Sequence, residues 1–277
     1  MDIPPVIHIP SITPVELEEL GYAKSLLENP GLAARFANLI GSPIEKGFAL
    51  LPDGWSATVH KATRTALLKA LELAVVTMGD RDRRKSSEWL HKILVGASGG
   101  IGGAFGLPAL PIELPVSTTI MLRSIADIAR SEGHNIGSLN TKLACLEVFA
   151  LGGRSSADDA AESSYWAVRA ALAKAISEAA SHLAERGLLE KTAPAVLRLI
   201  TALSSRFGVL VSEQVAAKAV PVVGAAGGSI INILFIHHFQ DMARGHFIVK
   251  RLELRHGPDV VRQLYQSLPA SEPARIG

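Results

Sequence analysis

A chain of 277 residues has room for one large domain or two small ones, and is long enough to bury a substantial core. Its 28 Lys and Arg nearly balance 26 Asp and Glu, and a formal net charge of +2 is too small for a nucleic-acid binder or a strongly steered anionic partner. The one cysteine, Cys145, excludes an internal disulfide and any cysteine-rich metal knuckle; within "KLACLEVFAL" it reads as a small buried apolar residue.

The opening "MDIPPVIHIPSITP" is acidic at Asp2 and broken by four prolines, so it reads as an arm over 1–12 rather than a secretory signal. "TPVE" at 13–16 is a capping box with Pro14 at the first helical position and predicts a helix start. "NP" at 29–30 and "SP" at 42–43 each end one helix and begin another, and "LPDG" at 51–54 is a turn. From Trp55 to Met78, Val59, Ala62, Ala66, Leu67, Ala70, Leu71 and Ala74 follow the three-four spacing of one helical face. A long amphipathic helix is predicted from 155 to a cap at Gly187, another starts at "TAP" (192–194), and "HGPD" (256–259) breaks the last long helix and leads into a short one. No run alternates with the period of two that marks a half-buried strand. The expected architecture is all-α: a single domain over 13–268, about ten helices, and a tail over 269–277.

Two segments stand apart. Between Ile93 and Leu122 the only charge is Glu113, and between Ala219 and Ile236 there is none. Hydropathy makes both candidate membrane spans, but Pro108, Pro111 and Pro115 interrupt the first and Pro221 opens the second. Buried helices of a soluble or peripheral protein are the alternative.

"LVGASGGIGG" at 94–103 resembles the phosphate loop of short-chain dehydrogenases, which needs a strand before it, a helix after it and an acid about 20 residues on. Here a polar helical run, "RRKSSEWLHKIL", precedes it, "LPALPIELP" follows and is expected to forbid the crossover helix, and no acid stands in place. None of the three tyrosines opens a Tyr-x-x-x-Lys pair. NAD(P) is therefore rejected.

The glycines instead echo. "VGASGG" at 95–100 returns as "VGAAGG" at 223–228, and "DIAR" at 127–130 returns as "DMAR" at 241–244. Glycines four apart form a smooth groove on a helix, so Gly96, Gly100 and Gly103 are expected to pack against Gly224 and Gly228 in a central helix pair. The echo is either an internal repeat or a chance likeness of small-residue segments.

"SPIEKGFALLP", "ATRTALLKALELAVVT", "GASGGIGGAFGLPALPIELPVSTTIMLRSIADIA", "CLEVFALGG" and "VPVVGAAGGSIINILFIHHFQDMARGHFIVKRLE" occur in the order seen in the EcsC family of bacterial proteins. The chain resembles that family from about Gly21 to Tyr265. The resemblance implies a helical, cytoplasmic or membrane-associated protein, accessory to an envelope or transport process, and supplies no catalytic residues.

Glu113, an acid within an apolar segment, requires a partner or a raised pKa, and Arg123 is the nearest base in sequence. Glu147 is the second acid in apolar surroundings, while Asp127 and Asp241 each stand three residues before an arginine, Arg130 and Arg244. His237 and His238 lie one turn from Asp241, and with Glu113 and Glu147 they make a candidate divalent-metal set, although no H-E-x-x-H or E-x-x-H is present. Asn232 is expected to bond a backbone carbonyl near Pro221 or Gly227. Two basic groups flank the apolar segments: Arg81, Arg83, Arg84 and Lys85 before the first, and Arg244, Lys250, Arg251 and Arg255 after the second. They suit anionic lipid on the cytoplasmic leaflet. These features favour a non-enzymatic, membrane-associated or lipid-interacting helical protein, cytoplasmic, at or in the inner membrane, with anionic lipid or a membrane transport complex as partner and no cofactor. A metal-dependent hydrolase using Glu113, Glu147, His237, His238 and Asp241 is the alternative, and a triggered pore-former the third reading.

Overall fold

The computed structural model describes residues 12–28, 32–77, 106–153, 164–188, 193–220 and 224–269. Among them are ten α-helices, one 3-10 turn and no strand. We number them α1 (Pro14–Leu27), α2 (Leu32–Ile40), α3 (Glu45–Ala49), α4 (Trp55–Thr77), α5 (Gly106–Ser131), α6 (Leu139–Glu147, running into the 3-10 turn Val148–Ala150), α7 (Ser164–Arg186), α8 (Pro194–Ala219), α9 (Gly224–His256) and α10 (Pro258–Ser267).

Local chemistry starts α1, α4, α8 and α10 where the sequence reading expects, while the start expected at 155 lies outside the described residues. Thr13 caps α1: its Oγ1 accepts from the Glu16 N–H at 3.2 Å, and its own N–H donates to Glu16 Oε2 at 2.9 Å. All of Val59, Ala62, Ala66, Leu67, Ala70, Leu71 and Ala74 are buried along α4. Pro258 opens α10 directly after Gly257, whose φ of +85° an L side chain would resist. Lys24 of α1 donates to the carbonyls of Tyr265 at 2.9 Å and Leu268 at 2.7 Å, closing the C-terminal end of α10 with a cation.

One expectation is overturned. The prolines after Gly106 do not forbid a helix: α5 runs through Pro111 and Pro115. Pro108 falls in the first turn, where an N–H has no helical acceptor. Pro111 and Pro115 remove one ladder bond each, yet the burial of Leu110, Leu114, Met121, Leu122 and Ile125 holds the helix together across the gap. α5 lies chiefly against α4 and α9.

Contacts set the direction of each helix. Asn232, Gln240 and Phe247 of α9 meet Glu113, Ser124 and His134 in turn, so α5 and α9 run parallel. α8 is antiparallel to both, since its final turns bring Gln214 to Asn232 and Lys218 to Glu113. A Cβ on Gly47 would overlap the Ala216 carbonyl, so α3 presses on the same end of α8, and α4 begins nearby. One end of the bundle thus gathers the starts of α4, α5 and α9 with the finish of α8. Gly106 and Gly224, the first residues of α5 and α9, lie there too.

α8 is the hub, touching α2, α3, α4, α7, α9 and the 3-10 turn. Phe207 from α8, Phe149 from the turn and Phe235 and Phe239 from α9 form an aromatic core with ring centroids 5.1–6.2 Å apart. Among the described residues α8 alone is long and apolar enough to cross a membrane, with mean hydropathy 1.5 and 44% of that stretch buried in the bundle. Neither segment singled out by hydropathy is itself a span among those residues: 106–122 belongs to the longer α5, and of 219–236, Ala219 closes α8 and 224–236 open α9.

Candidate functional site

Glu113 meets a base that sequence distance hid. Lys218 Nζ lies 2.7 Å from its Oε1, Asn232 Nδ2 donates to the same oxygen at 3.3 Å, and Gln214 Nε2 donates to Asn232 Oδ1 at 2.9 Å. This chain ties α5, α8 and α9 together at the glycine-rich end. It corrects two expectations: the partner is Lys218 rather than Arg123, and Asn232 bonds side chains rather than a backbone carbonyl.

Glu147 belongs to a different and deeper cluster. It closes α6, is buried, and faces His246 Nε2 at 3.4 Å. His246 Nδ1 lies 3.0 Å from the Tyr165 hydroxyl, Arg169 Nη1 reaches that hydroxyl at 3.4 Å, and Arg169 pairs with both oxygens of Glu253 at 2.7 and 3.0 Å. α6, α7 and α9 are thereby joined by one polar relay. Burial is the largest influence on the His246 imidazole and drives its pKa down to about 4. Burial pushes the Glu147 carboxyl up, but the His246 contact and the Lys250 and Arg169 charges outweigh it and hold the carboxyl below its ordinary range. At neutral pH the pair is a carboxylate beside a neutral imidazole. The tautomer that satisfies both contacts carries its proton on Nε2, toward Glu147, and accepts from Tyr165 on Nδ1.

Carboxylate, imidazole and hydroxyl follow the order of a nucleophilic triad. Burial raises the Tyr165 pKa, however, and its hydroxyl is enclosed with His246 inside the bundle. The arrangement braces three helices against one another. The stacked rings of Tyr165 and Tyr265, with Trp166 edge-on to both, extend that brace to α10.

The remaining metal candidates are apart from these. His237 is exposed and His238 buried. Asp241 accepts from both terminal nitrogens of Arg35 on α2 at 3.3 Å, rather than from Arg244, whereas Asp127 does pair with Arg130. Among the described residues no group of three or more metal-capable side chains comes together. Glu113, Glu147 and Asp241 each hold a different cationic or imidazole partner, and so do not converge.

The glycine pair and the first basic group fall largely outside the described residues: Gly96, Gly100, Gly103, Arg81, Arg83, Arg84 and Lys85 all do. Gly224 opens α9, and Gly228 is buried in its first turns. The close backbone approaches that are described involve other glycines. Gly47 presses on Ala216, and Gly245 of α9 leaves 2.7 Å between a notional Cβ and Leu27 of α1. In the second basic group, Arg251 reaches Glu19 at 3.2 Å and Glu132 at 3.3 Å, and Arg255 reaches Glu16 at 3.2 Å. Lys250 is half-buried and its charge bears on Glu147. These bases lie toward the far end of α9, roughly 25 Å along its axis from Ile233 at the usual rise per residue.

Sequence reasoning missed His246, Tyr165, Arg169 and Glu253. The spacing Tyr165/Arg169 and His246/Glu253 places each pair on one helical face, but nothing along the chain links the two helices.

The EcsC protein family model matches residues 16–252. No curated protein matches the chain, and no solved structure does.

Proposed function

The chain belongs to the EcsC protein family, and on that premise we propose that it is a membrane-associated helical protein, accessory to an envelope or transport process, that meets lipid with the glycine-rich end of its bundle. One observation carries this reading: large apolar side chains on the elements that reach that end stand in solvent. Leu50 is 54% exposed, Ile112 67%, Ile230 43% and Ile233 51%. Each is tied to the end by its neighbour, since Leu50 follows Gly47, Ile112 precedes Glu113, and Ile230 and Ile233 flank Asn232. The stretches of α5 and α9 that meet there, 106–122 and 224–236, hold a single charge between them.

Burying one such side chain in hydrocarbon is worth about 1.5–3 kcal/mol, so four of them suffice for reversible attachment. The second basic group contributes little on this reading, because Arg251 and Arg255 are already paired with acids of α1 and Glu132. The contact is therefore apolar first and electrostatic second. Flotation with phosphatidylcholine vesicles tests it. The parent chain should float, with little loss on adding salt or change on adding phosphatidylglycerol, and an Ile112→Glu, Ile233→Glu double variant with unchanged helical circular dichroism should stay at the bottom of the gradient. Equal flotation of the two proteins, or flotation of neither, would refute the proposal.

A further inference from the structure

The relay through His246 holds more than a brace requires. The Tyr165 hydroxyl, enclosed in the bundle, lies 3.0 Å from His246 Nδ1, and His246 Nε2 faces the buried Glu147 carboxylate at 3.4 Å. With the imidazole proton on Nε2, Nδ1 is an acceptor aimed at a phenol. A phenol so placed can lose an electron and its proton together. The proton crosses one hydrogen bond, and the imidazolium that results already has a carboxylate beside it. The tyrosine itself becomes a neutral radical, so no unneutralised charge is left on its buried ring.

Tyr165 also belongs to a group of oxidisable rings that reaches toward solvent. Trp166 stands edge-on to it at 5.2 Å, Tyr265 stacks on it at 5.9 Å, and Trp166 and Tyr265 meet at 5.7 Å. Trp166, 8% exposed, is the most accessible of the three; Tyr165 is 2% exposed and Tyr265 fully buried. Trp166 is a poor place for a positive hole to stay. The guanidinium groups of Arg169 and Arg262 lie over its ring at 4.9 and 5.8 Å, and its buried Nε1–H has no hydrogen-bond partner among the described residues to take the proton. Tyr165 can discharge the hole by passing its proton to His246. Arg169 opposes this little, because both oxygens of Glu253 already pair with it at 2.7 and 3.0 Å.

We propose that Tyr165 is a redox-active tyrosine, the residue on which one-electron oxidation of the protein comes to rest, with His246 as its proton acceptor and Trp166 as the ring through which the electron leaves. The co-reactant is a one-electron oxidant in solution. The Tyr165 O–H bond breaks, its proton forms an N–H bond at His246 Nδ1, and one electron passes by way of Trp166 to the oxidant, which is reduced by that electron. A neutral tyrosyl radical remains beside the His246–Glu147 ion pair. An electron from a one-electron reductant and the proton returning from Nδ1 restore the phenol, so the site is reusable. Enclosure in the bundle keeps the radical from coupling to a second tyrosine. His246 lies roughly 20 Å along α9 from Ile233 at the usual rise per residue, so this chemistry does not depend on contact with lipid.

The test is flash photo-oxidation of the full chain by ruthenium tris-bipyridine with a cobalt(III) electron acceptor, read by transient absorption and electron paramagnetic resonance. The chain has three tyrosines, so the radical can be assigned by substitution. The parent should form a tyrosyl radical that outlasts that of free tyrosine under the same flash, and should form it more slowly in heavy water. A Tyr22→Phe, Tyr265→Phe double variant should keep this signal. Tyr165→Phe and His246→Gln, each with unchanged helical circular dichroism, should lose it, and Trp166→Phe should form it more slowly. If a core variant does not fold, the parent signal, its heavy-water effect and the double variant still decide. A parent without the persistent radical, a double variant that loses it, a Tyr165→Phe or His246→Gln protein that keeps it, or formation unchanged by heavy water overturns the proposal. A Trp166→Phe protein that matches the parent's rate overturns the route through Trp166.

Discussion

At Gly47 a single hydrogen atom decides whether two helices can meet. Its notional Cβ overlaps the backbone carbonyl of Ala216, which cannot yield as a flexible side chain would. Gly47→Ala should therefore destabilise the fold by roughly 1–3 kcal/mol or more, as overpacking does. Gly21 is the contrast: it lies within α1 with nothing near its notional Cβ, and Gly21→Ala should raise stability by about 0.4–1 kcal/mol. Thermal melts of the two variants check both signs. A Gly47→Ala protein as stable as the parent would mean that α3 does not press on α8.

The two buried imidazoles give the molecule a defined acid sensitivity. His238 and His246 both titrate at about 4 in the folded protein against an ordinary 6.5. As pH falls below 6.5 the unfolded chain takes up protons that the folded chain does not, so stability is lost progressively from 6.5 down to about 4. At 1.36 kcal/mol per unit the loss is about 3 kcal/mol for each histidine by the lower limit. Glu16, held down to about 2 by the Thr13 backbone and side chain and by His256, acts in the next window: its contribution is present above 4.5 and fades below it. Melting temperature should accordingly fall steadily between pH 7 and pH 4. A flat profile over that range would show that the imidazoles reach water.

Among the elements, the legible ones were those fixed by neighbours in sequence. The Thr13 cap, the α4 face and the Gly257–Pro258 break depend on residues at most a few positions apart, and all were readable. α5 was misread because proline's local cost was visible while the packing that overrides it, from α4 and α9, was not. α8 escaped the hydropathy reading because Arg198, Arg206, Glu213 and Lys218 punctuate an otherwise apolar helix. Glu113 was correctly expected to need a partner, but Lys218 lies on another helix, and only the antiparallel course of α8 brings it near. The relay through Glu147, His246, Tyr165, Arg169 and Glu253 is a product of tertiary packing altogether. Its removal in part should be costly. Arg169→Leu leaves the half-buried Glu253 carboxylate without its bidentate partner and should cost about 1–3 kcal/mol, seen as a lowered denaturant midpoint. A loss under 1 kcal/mol would place the ion pair in solvent.

For the molecule as a whole, the bundle has two unlike ends. At one, the Glu113–Lys218 pair ties α5 to α8 on elements that also carry the exposed Leu50, Ile112, Ile230 and Ile233; toward the other, Arg251 and Arg255 pair with acids of α1 and Glu132. The proposed attachment to lipid has a direction, and a polarity-sensitive fluorophore can read it. Cys145 is buried and its thiol is pushed up to about 12 by burial, so labelling is directed to an introduced cysteine. The most direct measurement compares a label on Ile233→Cys with one on Leu254→Cys, a site 81% exposed toward the far end of α9. On adding phosphatidylcholine vesicles, the label at 233 should shift to the blue and gain intensity while the label at 254 stays as in water. A shift at 254 alone, or none at either site, would contradict the account.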